Sequence, residues 1–393
     1  MNKLILITNP GSASRKYALY NGQELMASLH FEYENGSVIC NIKDPDDGDK
    51  TIKTDFKDLS DTVSNLAKIL KKEGYITKQH KLAAIVARLV APTDYFATHH
   101  VVDDEFMKNL EIAKARAPLH TPVIANEITH FRKAFPDTKI IAISDSAFHS
   151  SKPDVMKYYP FDTDLADKVG IKRYGYHGLS VGSIVHIMEQ ENILPEKLIV
   201  AHLGSGSSIS AVYKGTAIDT SMGYSPLEGL MMSTRSGSID VTAALAIKNA
   251  LGLDDEGLEK YLNKEAGLLG VSGFTDDMRT IIEKRDESHQ RADFAYSLFI
   301  YRVQNLIGQM AASLGGVDAI VLTATIGERS KPIRQAIVEK LEYLGFKLDE
   351  DKNKSPKPIG KSANIATADS KPIYVIHTDE TGEMIRHALE YID

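Results

Sequence analysis

An arginine stands near the end of an otherwise apolar run, Ala83-Ala-Ile-Val-Ala-Arg-Leu-Val90. Burying a guanidinium there is costly unless an anion meets it, so Arg88 reads either as a structural ion pair or as an anion site. A second apolar run, Lys139-Ile-Ile-Ala-Ile143, ends in Ser144-Asp145, and Asp145 is a candidate partner for that arginine or for a reacting group. Arg173-Tyr-Gly-Tyr-His-Gly-Leu-Ser180 sets a cation, two aromatics and a histidine among glycines, which shape a backbone able to present His177. Ser233-Thr-Arg-Ser-Gly237 places Arg235 at a flexible turn, either clamping an anion through its planar fork or facing solvent. Asn9 and Lys16 flank a Gly/Ser loop, where Lys16 offers a point charge to a phosphate. Glu380, after Thr378-Asp379, fits either an oxygen ligand for Mg2+ or a carboxylate at a helix N-terminus.

The Gly/Ser loop occurs twice. Ile7–Gly22 lies over Val200–Gly215 without a gap, matching Gly11 with Gly204, Ser12 with Ser205 and Ser14 with Ser207. Each copy reads as an apolar strand, a turn and a second alternating strand. Glycines at such turns let backbone N–H groups approach an anion, and serine hydroxyls add donors. Gly204-Ser-Gly206 is followed by the strand-like Ser208–Tyr213 rather than a helix, which argues against a dinucleotide-binding turn, and no P-loop signature occurs.

The chain has 393 residues, 43% hydrophobic and 25% charged, which is ordinary for a globular protein of two or three domains. A net charge of −7 argues against a general nucleic-acid or acidic-membrane binder, yet leaves room for an anionic substrate at a local cluster of Arg, Lys and His. Cys40 is the single cysteine, so neither an intrachain disulfide nor a cysteine metal cluster is available. The Met1–Thr8 run reads as a short strand stopped by Asn9-Pro10, and no apolar run reaches membrane-spanning length. The expectation is a cytoplasmic protein with no membrane partner.

These residues need positioning elements. In the first half we expect strands near Leu4–Thr8, Lys16–Tyr20, Leu25–Phe31, Ala83–Val90 and Lys139–Ile143, a helix near Lys57–Lys72, and helices on either side of the Ala117–Pro122 turn. Asp44–Asp49 reads as a solvated acidic loop. In the second half we expect strands near Leu198–Leu203, Ser208–Val212, Thr216–Asp219, Ala319–Ala324 and Tyr374–His377. Helices fall near Val241–Leu251, Gly257–Glu265, Ala292–Leu314, Pro332–Tyr343 and Glu383–Tyr391, and Lys352–Lys371 reads as loop. Strand meanders followed by helix–strand alternation in both halves predict duplicated α/β domains with mixed sheets, with ligands in an interdomain cleft at the carboxyl ends of strands.

In their order along the chain the motifs resemble the acetate kinase family, within the sugar kinase, Hsp70 and actin superfamily. The resemblance runs nearly end to end: Asn9-x-Gly-Ser-x-Ser-x-Lys16, Ala117-Pro-Leu-His120, Asp145-Ser-Ala-Phe-His149, Tyr174-Gly-Tyr-His-Gly178, His202-Leu-Gly-Ser-Gly206, Ser221–Gly237 and Gly267-Leu-Leu-Gly-Val-Ser-Gly273. It implies ribonuclease H-like (actin-like ATPase) domains over 1–148, completed by a C-terminal helix 379–393, and over 149–378. It implies phosphoryl transfer from ATP to acetate, giving acetyl phosphate and ADP, with Mg2+ (or Mn2+) as cofactor, and a homodimer. By the same similarity Asn9 and Glu380 fall on the metal positions, Lys16 on an ATP-phosphate contact and Arg88 on the substrate-carboxylate arginine. Asp145 falls on the catalytic acid/base, and His177 and Arg235 on transition-state stabilisers. The segments His202-Leu203-Gly204-Ser205-Gly206, Asp277-Met278-Arg279 and Thr325-Ile326-Gly327-Glu328-Arg329 fall on the nucleotide. Val90, Leu119, Tyr176 and Pro226 fall on the small acyl pocket.

Three departures from the family bear on specificity. Around the substrate arginine the usual His-Arg-Val-Val-His-Gly-Gly becomes Ala87-Arg-Leu-Val-Ala-Pro92, and Pro92 restricts the following loop. Thr325-Ile-Gly-Glu-Arg329 replaces Gly-Ile-Gly-Glu-Asn. Tyr176 carries a hydroxyl where phenylalanine is common, and a buried hydroxyl wants a partner. The sequence therefore leaves open propionate or another short-chain acid as acceptor, GTP or pyrophosphate as donor, and an inactive nucleotide-binding module of the same fold.

Overall fold

The computed structural model describes residues 3–10, 14–34, 36–77, 81–116 and 121–392. Leu119 and the tip of the first Gly/Ser loop, Gly11 and Ser12, lie outside them. The chain divides into two compact units, Met1–Ala147 with Glu380–Asp393, and Phe148–Asp379.

The first unit carries β1 (Leu4–Pro10), β2 (Ser14–Asn21), β3 (Glu24–Glu34), β4 (Ser37–Lys43), β5 (Lys50–Lys53), β6 (Leu82–Leu89), β7 (His100–Val101) and β8 (Lys139–Ser144). They form one sheet in the order β5-β4-β3-β2-β1-β6-β8-β7. The meander β1 to β5 is antiparallel, whereas β1, β6 and β8 run parallel. Alternation decides which side of β2 is covered: Tyr17 and Leu19 are buried, and Lys16 between meander partners stays exposed. On one face Leu4, Leu6, Ile85 and Ile140 pack with Val63, Leu66 and Leu70 of the helix Asp61–Lys72 and Phe131 of the helix Thr121–Ala134. Each such side chain withdrawn from water contributes about 1.5–3 kcal/mol. A second cluster holds Leu89 and Ala142 against Phe96, Phe106, Leu110 and Ile128. The helix Glu380–Leu389 packs against β1, β6 and β8.

The second unit carries β9 (Lys197–Leu203), β10 (Ser207–Tyr213), β11 (Thr216–Thr220), β12 (Ala319–Thr323), β13 (Ser362–Asn364) and β14 (Ile373–Ile376), in the order β11-β10-β9-β12-β14-β13. Its core order, third-second-first strand of a meander followed by two parallel strands, is that of β3-β2-β1-β6-β8. Ile199, Ala201 and Leu203 face the helix Gln290–Leu314 through Phe299, Val303, Ile307 and Met310. Leu198 and Val200 face Val181, Ile184, Val185 and Met188 of the helix Gly178–Gln190.

The repeated hairpins share strand limits to within one residue but not register. Asn9 pairs with Lys16, whereas its counterpart His202 pairs with Ser208, the counterpart of Arg15. One residue of slip re-aims the second strand relative to the first. Elsewhere the structure departs from the sequence expectation at several places: β4, β5 and the helices Thr163–Val169 and Met278–Asp286 were not expected, the helix expected near Pro332–Tyr343 spans Lys331–Val338, and there are four further differences. β12 stops at Thr323, and Ala324–Arg329 is a short helix. The helix Gly178–Gln190 is buried along most of its length, so it lacks the amphipathic period that would reveal it. The Lys352–Lys371 stretch contains β13 and the end of a helix, Glu350–Lys354. Asp44 is buried rather than solvated: its carboxylate accepts from the N–H groups of Asp46 and Asp47 and from Tyr75 Oη at 2.6 Å, fixing the turn between β4 and β5.

Candidate functional site

In the first unit the ends of parallel strands gather charge. Arg88 is the penultimate residue of β6, and Asp145 directly follows β8, its N–H bonded to the carbonyl of Leu89. Arg88 Nη2 donates to Asp145 Oδ2 and Nη1 to Glu380 Oε2, both at 3.0 Å. Its Nε is buried with no partner among the described residues. Burial works against the guanidinium charge, but Asp145 and Glu380 outweigh it and hold Arg88 above its ordinary value. Glu380 opens the C-terminal helix, as the helix-start reading expects, and its carboxylate is also an ion-pair partner of Arg88. Burial foremost, with Asp145 adding, lifts its carboxyl above the ordinary range against the pull of Arg88 and Lys16. Asn9 is half-buried on β1, opposite Lys16. The neighbouring side chains are fixed by Glu127, whose buried carboxylate accepts from Thr8 Oγ1 at 2.5 Å and Tyr17 Oη at 2.6 Å. Val90, just past β6, is half-buried.

In the second unit the hairpin between β9 and β10 is the organiser. Gly204 N donates to Gly206 O at 3.1 Å, and Ser207 Oγ to Gly204 O at 3.0 Å, closing a tight turn. The N–H groups of Ser205 and Gly206 have no acceptor among the described residues, so they are free to meet an anion. His177 and Arg235 converge on this turn: a Cβ on Gly206 would lie 3.2 Å from His177 Nε2 and 3.5 Å from Arg235 Nη1. His177 Nδ1 meets Ser208 Oγ at 3.0 Å, and its ring stacks on His202 with centroids 4.1 Å apart. His202 is held in turn by Ser180 Oγ at 2.8 Å. Arg235 has no carboxylate partner among the described residues; Nη1 reaches only Pro226 O at 3.4 Å and Met232 Sδ at 3.5 Å. Burial with no compensating anion pulls its guanidinium below the ordinary value. A desolvated arginine beside free backbone N–H groups is a place for an anion. Tyr176 is almost wholly buried and its hydroxyl does find a partner, Tyr224 O at 2.7 Å, while Pro226 is buried beside Arg235.

Beyond the hairpin the second unit holds a cavity of about 700 Å³. Ser205, Asp277, Met278, Arg279, Thr325, Ile326 and Arg329 line it, all anticipated from sequence. Asp277 caps the helix Met278–Asp286 and pairs with Arg279. His202, Leu203, Gly204 and Gly206 do not line the cavity; they form the strand end and turn beside Ser205. Gly327 and Glu328 also fall outside it. Their carbonyls accept from buried Arg334, and the Glu328 carboxylate meets His377 Nδ1 at 2.7 Å. The lining residues Ser233, Asp276, Ile282, Glu283, Lys331 and Pro332 were not anticipated. Ser233 alone carried a signal, as the start of the Arg235 turn; its N–H bonds to Ser205 O.

The acetokinase family profile matches residues 4–386. Acetate kinases of Clostridium botulinum (strain Okra / Type B1) and Thermoanaerobacter pseudethanolicus are each 38% identical over 387 residues, covering 96% of either chain. The crystal structure of Porphyromonas gingivalis acetate kinase matches with a TM-score of 0.86 at 30% identity over 99% of both chains. That of a propionate kinase from Francisella tularensis gives 0.89 at 31% over 98% of both. The chain belongs to the acetokinase family. It is therefore a phosphotransferase with a carboxyl group as acceptor, and its two mixed sheets are of the actin-like ATPase fold. Among the described residues no helix is long and apolar enough to cross a membrane.

Proposed function

We propose that this chain is an acetate kinase, moving the γ-phosphoryl group of ATP directly and in line onto acetate. The observation that carries the reading is the convergence of His177 and Arg235 on Gly206, with Arg235 desolvated and lacking a carboxylate partner. Phosphoryl transfer depends on positioning and on neutralising charge that spreads over the equatorial oxygens, which is what an imidazole and a guanidinium at one turn supply. The 700 Å³ cavity takes the nucleotide base and ribose, and Ser205 at its edge leads the phosphates toward the hairpin. Lys16 adds a point charge for a phosphate.

Arg88 takes the acid's carboxylate, and the family resemblance assigns Val90, Leu119, Tyr176 and Pro226 to the acyl group. A carboxylic acid with a pKa near 4–5 is already ionised at neutral pH and needs no general base. Asp145, 3.0 Å from Arg88 Nη2, serves accordingly to orient that guanidinium. Asp145→Asn should weaken acid binding without adding a new ionisation to the rate profile; loss of an acidic limb in kcat would return Asp145 to acid/base work.

Mg2+ fits the donor set. The Asn9 amide and the Glu380 carboxylate offer hard oxygen donors, and Mg2+ bound to nucleotide phosphates uses only one or two such protein oxygens. Asn9 and Glu380 would hold it, and it would neutralise charge on the phosphates.

The acid is tested by comparing kcat/KM for acetate, propionate and butyrate; a clear preference for butyrate would overturn the assignment. Propionate is the second reading, since the Francisella neighbour bears that name. A homodimer is also proposed. The helix Val241–Leu251 buries none of its residues, and Val241, Leu245 and Leu251 are 73%, 50% and 53% exposed, an apolar helix that a second copy would cover. Sedimentation should show a dimer that Leu245→Glu dissociates; a monomeric wild-type chain would contradict it.

A further inference from the structure

His149 closes the Asp145–His149 motif, and the proposed mechanism gives it no task. It lies in the short helical turn Ala147–Ser151, is fully buried, and is followed by Lys152, only 2% exposed. Both side chains address one stretch of backbone. Lys152 Nζ donates to Arg173 O at 2.7 Å and Tyr174 O at 3.3 Å. His149 Nε2 lies 2.9 Å from Tyr176 O, and because a carbonyl only accepts, that nitrogen carries the proton. Between them Gly175 donates its N–H to Gly223 O at 3.2 Å. Gly175 has φ +84°, and a Cβ there would fall 2.5 Å from Thr220 Cγ2 and 3.0 Å from the His149 ring. Every residue from Arg173 to Tyr176 is thus tied by its backbone.

The next residue is His177, at φ 60°, a left-handed conformation that a non-glycine keeps only where its surroundings over-determine it. The same residue caps the helix Gly178–Gln190, so its backbone must turn sharply before the helix begins. Lys152 is a costly way to hold two carbonyls. Among the described residues it has no carboxylate within ion-pair distance, and burial, with Arg173 adding, pulls its ammonium down to about 7.

We propose that His149 and Lys152 are positioning residues, a two-point clamp on the Arg173–Tyr176 backbone that fixes His177 in its left-handed conformation and so aims its imidazole at Gly206 and Arg235. The kinetic part of this inference rests on the acyl-kinase reading; the geometric part does not. Neither residue touches the cavity lined by Asp277, Arg279 and Arg329, so losing the clamp should affect turnover and leave nucleotide affinity alone.

The test uses the full-length chain with His149→Leu, His149→Gln and Lys152→Met. Three quantities are measured: kcat and KM for ATP by hydroxamate trapping, ADP affinity by calorimetry, and the 15N imidazole resonances of His177. We expect kcat to fall about tenfold or more in His149→Leu and Lys152→Met, as a misaimed group costs, with KM for ATP and ADP affinity within about twofold. His149→Gln, which keeps a donor near the Nε2 position, should recover most of the loss. The His177 resonances should move in His149→Leu and stay near wild type in His149→Gln. Equal kcat in the two folded His149 variants, or His177 resonances unmoved by His149→Leu, would overturn the clamp. If Lys152→Met does not fold, the His149 pair decides alone. A wild-type chain that makes no acyl phosphate would sink the acyl-kinase reading, and the His177 resonances would then decide the clamp by themselves.

Discussion

Replacing Arg88 with methionine removes a cation that Asp145 and Glu380 share while keeping most of the side-chain volume. Each carboxylate lies 3.0 Å from the guanidinium, and Asp145 is 2% exposed and Glu380 21%. At an effective dielectric near 20 a contact pair about 4 Å apart is worth about 4 kcal/mol, and removing one partner of a buried pair typically costs about 3–5 kcal/mol. The loss should depend on pH. Glu380 already has a raised carboxyl, by burial first, and Arg88 is among the groups pulling it down. Without Arg88 it rises further. A carboxyl whose folded pKa exceeds its unfolded one contributes stability that is present below the unfolded value, near 4.3, and lost as pH rises through the folded value. Arg88→Met should therefore be closer to wild type at pH 5 than at pH 7. Urea unfolding at pH 5, 6 and 7 measures it. Adding Glu380→Gln should recover the pH-dependent part, and KM for the acid should rise in both variants. The same loss at every pH, with no recovery from Glu380→Gln, would refute this reasoning.

Gly206→Ala should lower kcat about 10- to 100-fold, because its methyl would press on His177 Nε2 at 3.2 Å while touching Arg235 Nη1 at 3.5 Å; full turnover would show that His177 does not meet the turn. Ala324 has φ 63°, so Ala324→Gly should relieve a left-handed strain of about 1–2 kcal/mol against a glycine entropy cost of about 0.5–1, for a net gain near 0.5 kcal/mol in urea unfolding. A loss larger than about 1 kcal/mol would show that the methyl, 3.6 Å from a Cβ built on Gly204, packs usefully. The Cys40 thiol is pushed up to about 12 by burial and then by Glu73, so the native chain should resist iodoacetamide at pH 8 and react once unfolded in urea. Prompt stoichiometric alkylation of the native chain would contradict its burial. Chelation of divalent metal with EDTA should abolish transfer and excess Mg2+ should restore it; turnover undiminished in EDTA would remove Asn9 and Glu380 from metal binding.

Sequence reading reached furthest where chemistry interrupts a pattern. Arg88 stands out because a guanidinium breaks an apolar strand, and Asp145 because a carboxylate ends one; the structure pairs them. The repeated Gly/Ser turn revealed the duplicated meander, since glycine and serine at a strand end leave a signature that period-two alternation supports. The one-residue slip between the two hairpins was not legible, because a gapless alignment carries no information about cross-strand pairing. The helix Gly178–Gln190 escaped because burial on nearly all sides erases its period, and its Gly, Ser and Val residues are weak helix formers. The short helix after β12 escaped for a related reason. Ala324 enters it through a left-handed conformation that tertiary packing imposes. His149 and Lys152 were visible as residues but not as a pair, because their shared target, the backbone carbonyls from Arg173 to Tyr176, has no side-chain signature.

The central claim, that this acetokinase-family chain phosphorylates acetate from ATP, is tested most directly by trapping acyl phosphate as its hydroxamate. The purified chain is incubated with acetate and Mg2+ and with ATP, GTP or pyrophosphate in turn. Acetyl hydroxamate should form with ATP, in step with ADP release, and should be lost in Arg235→Ala. Hydroxamate formed only with pyrophosphate, or none with any donor, would contradict the claim.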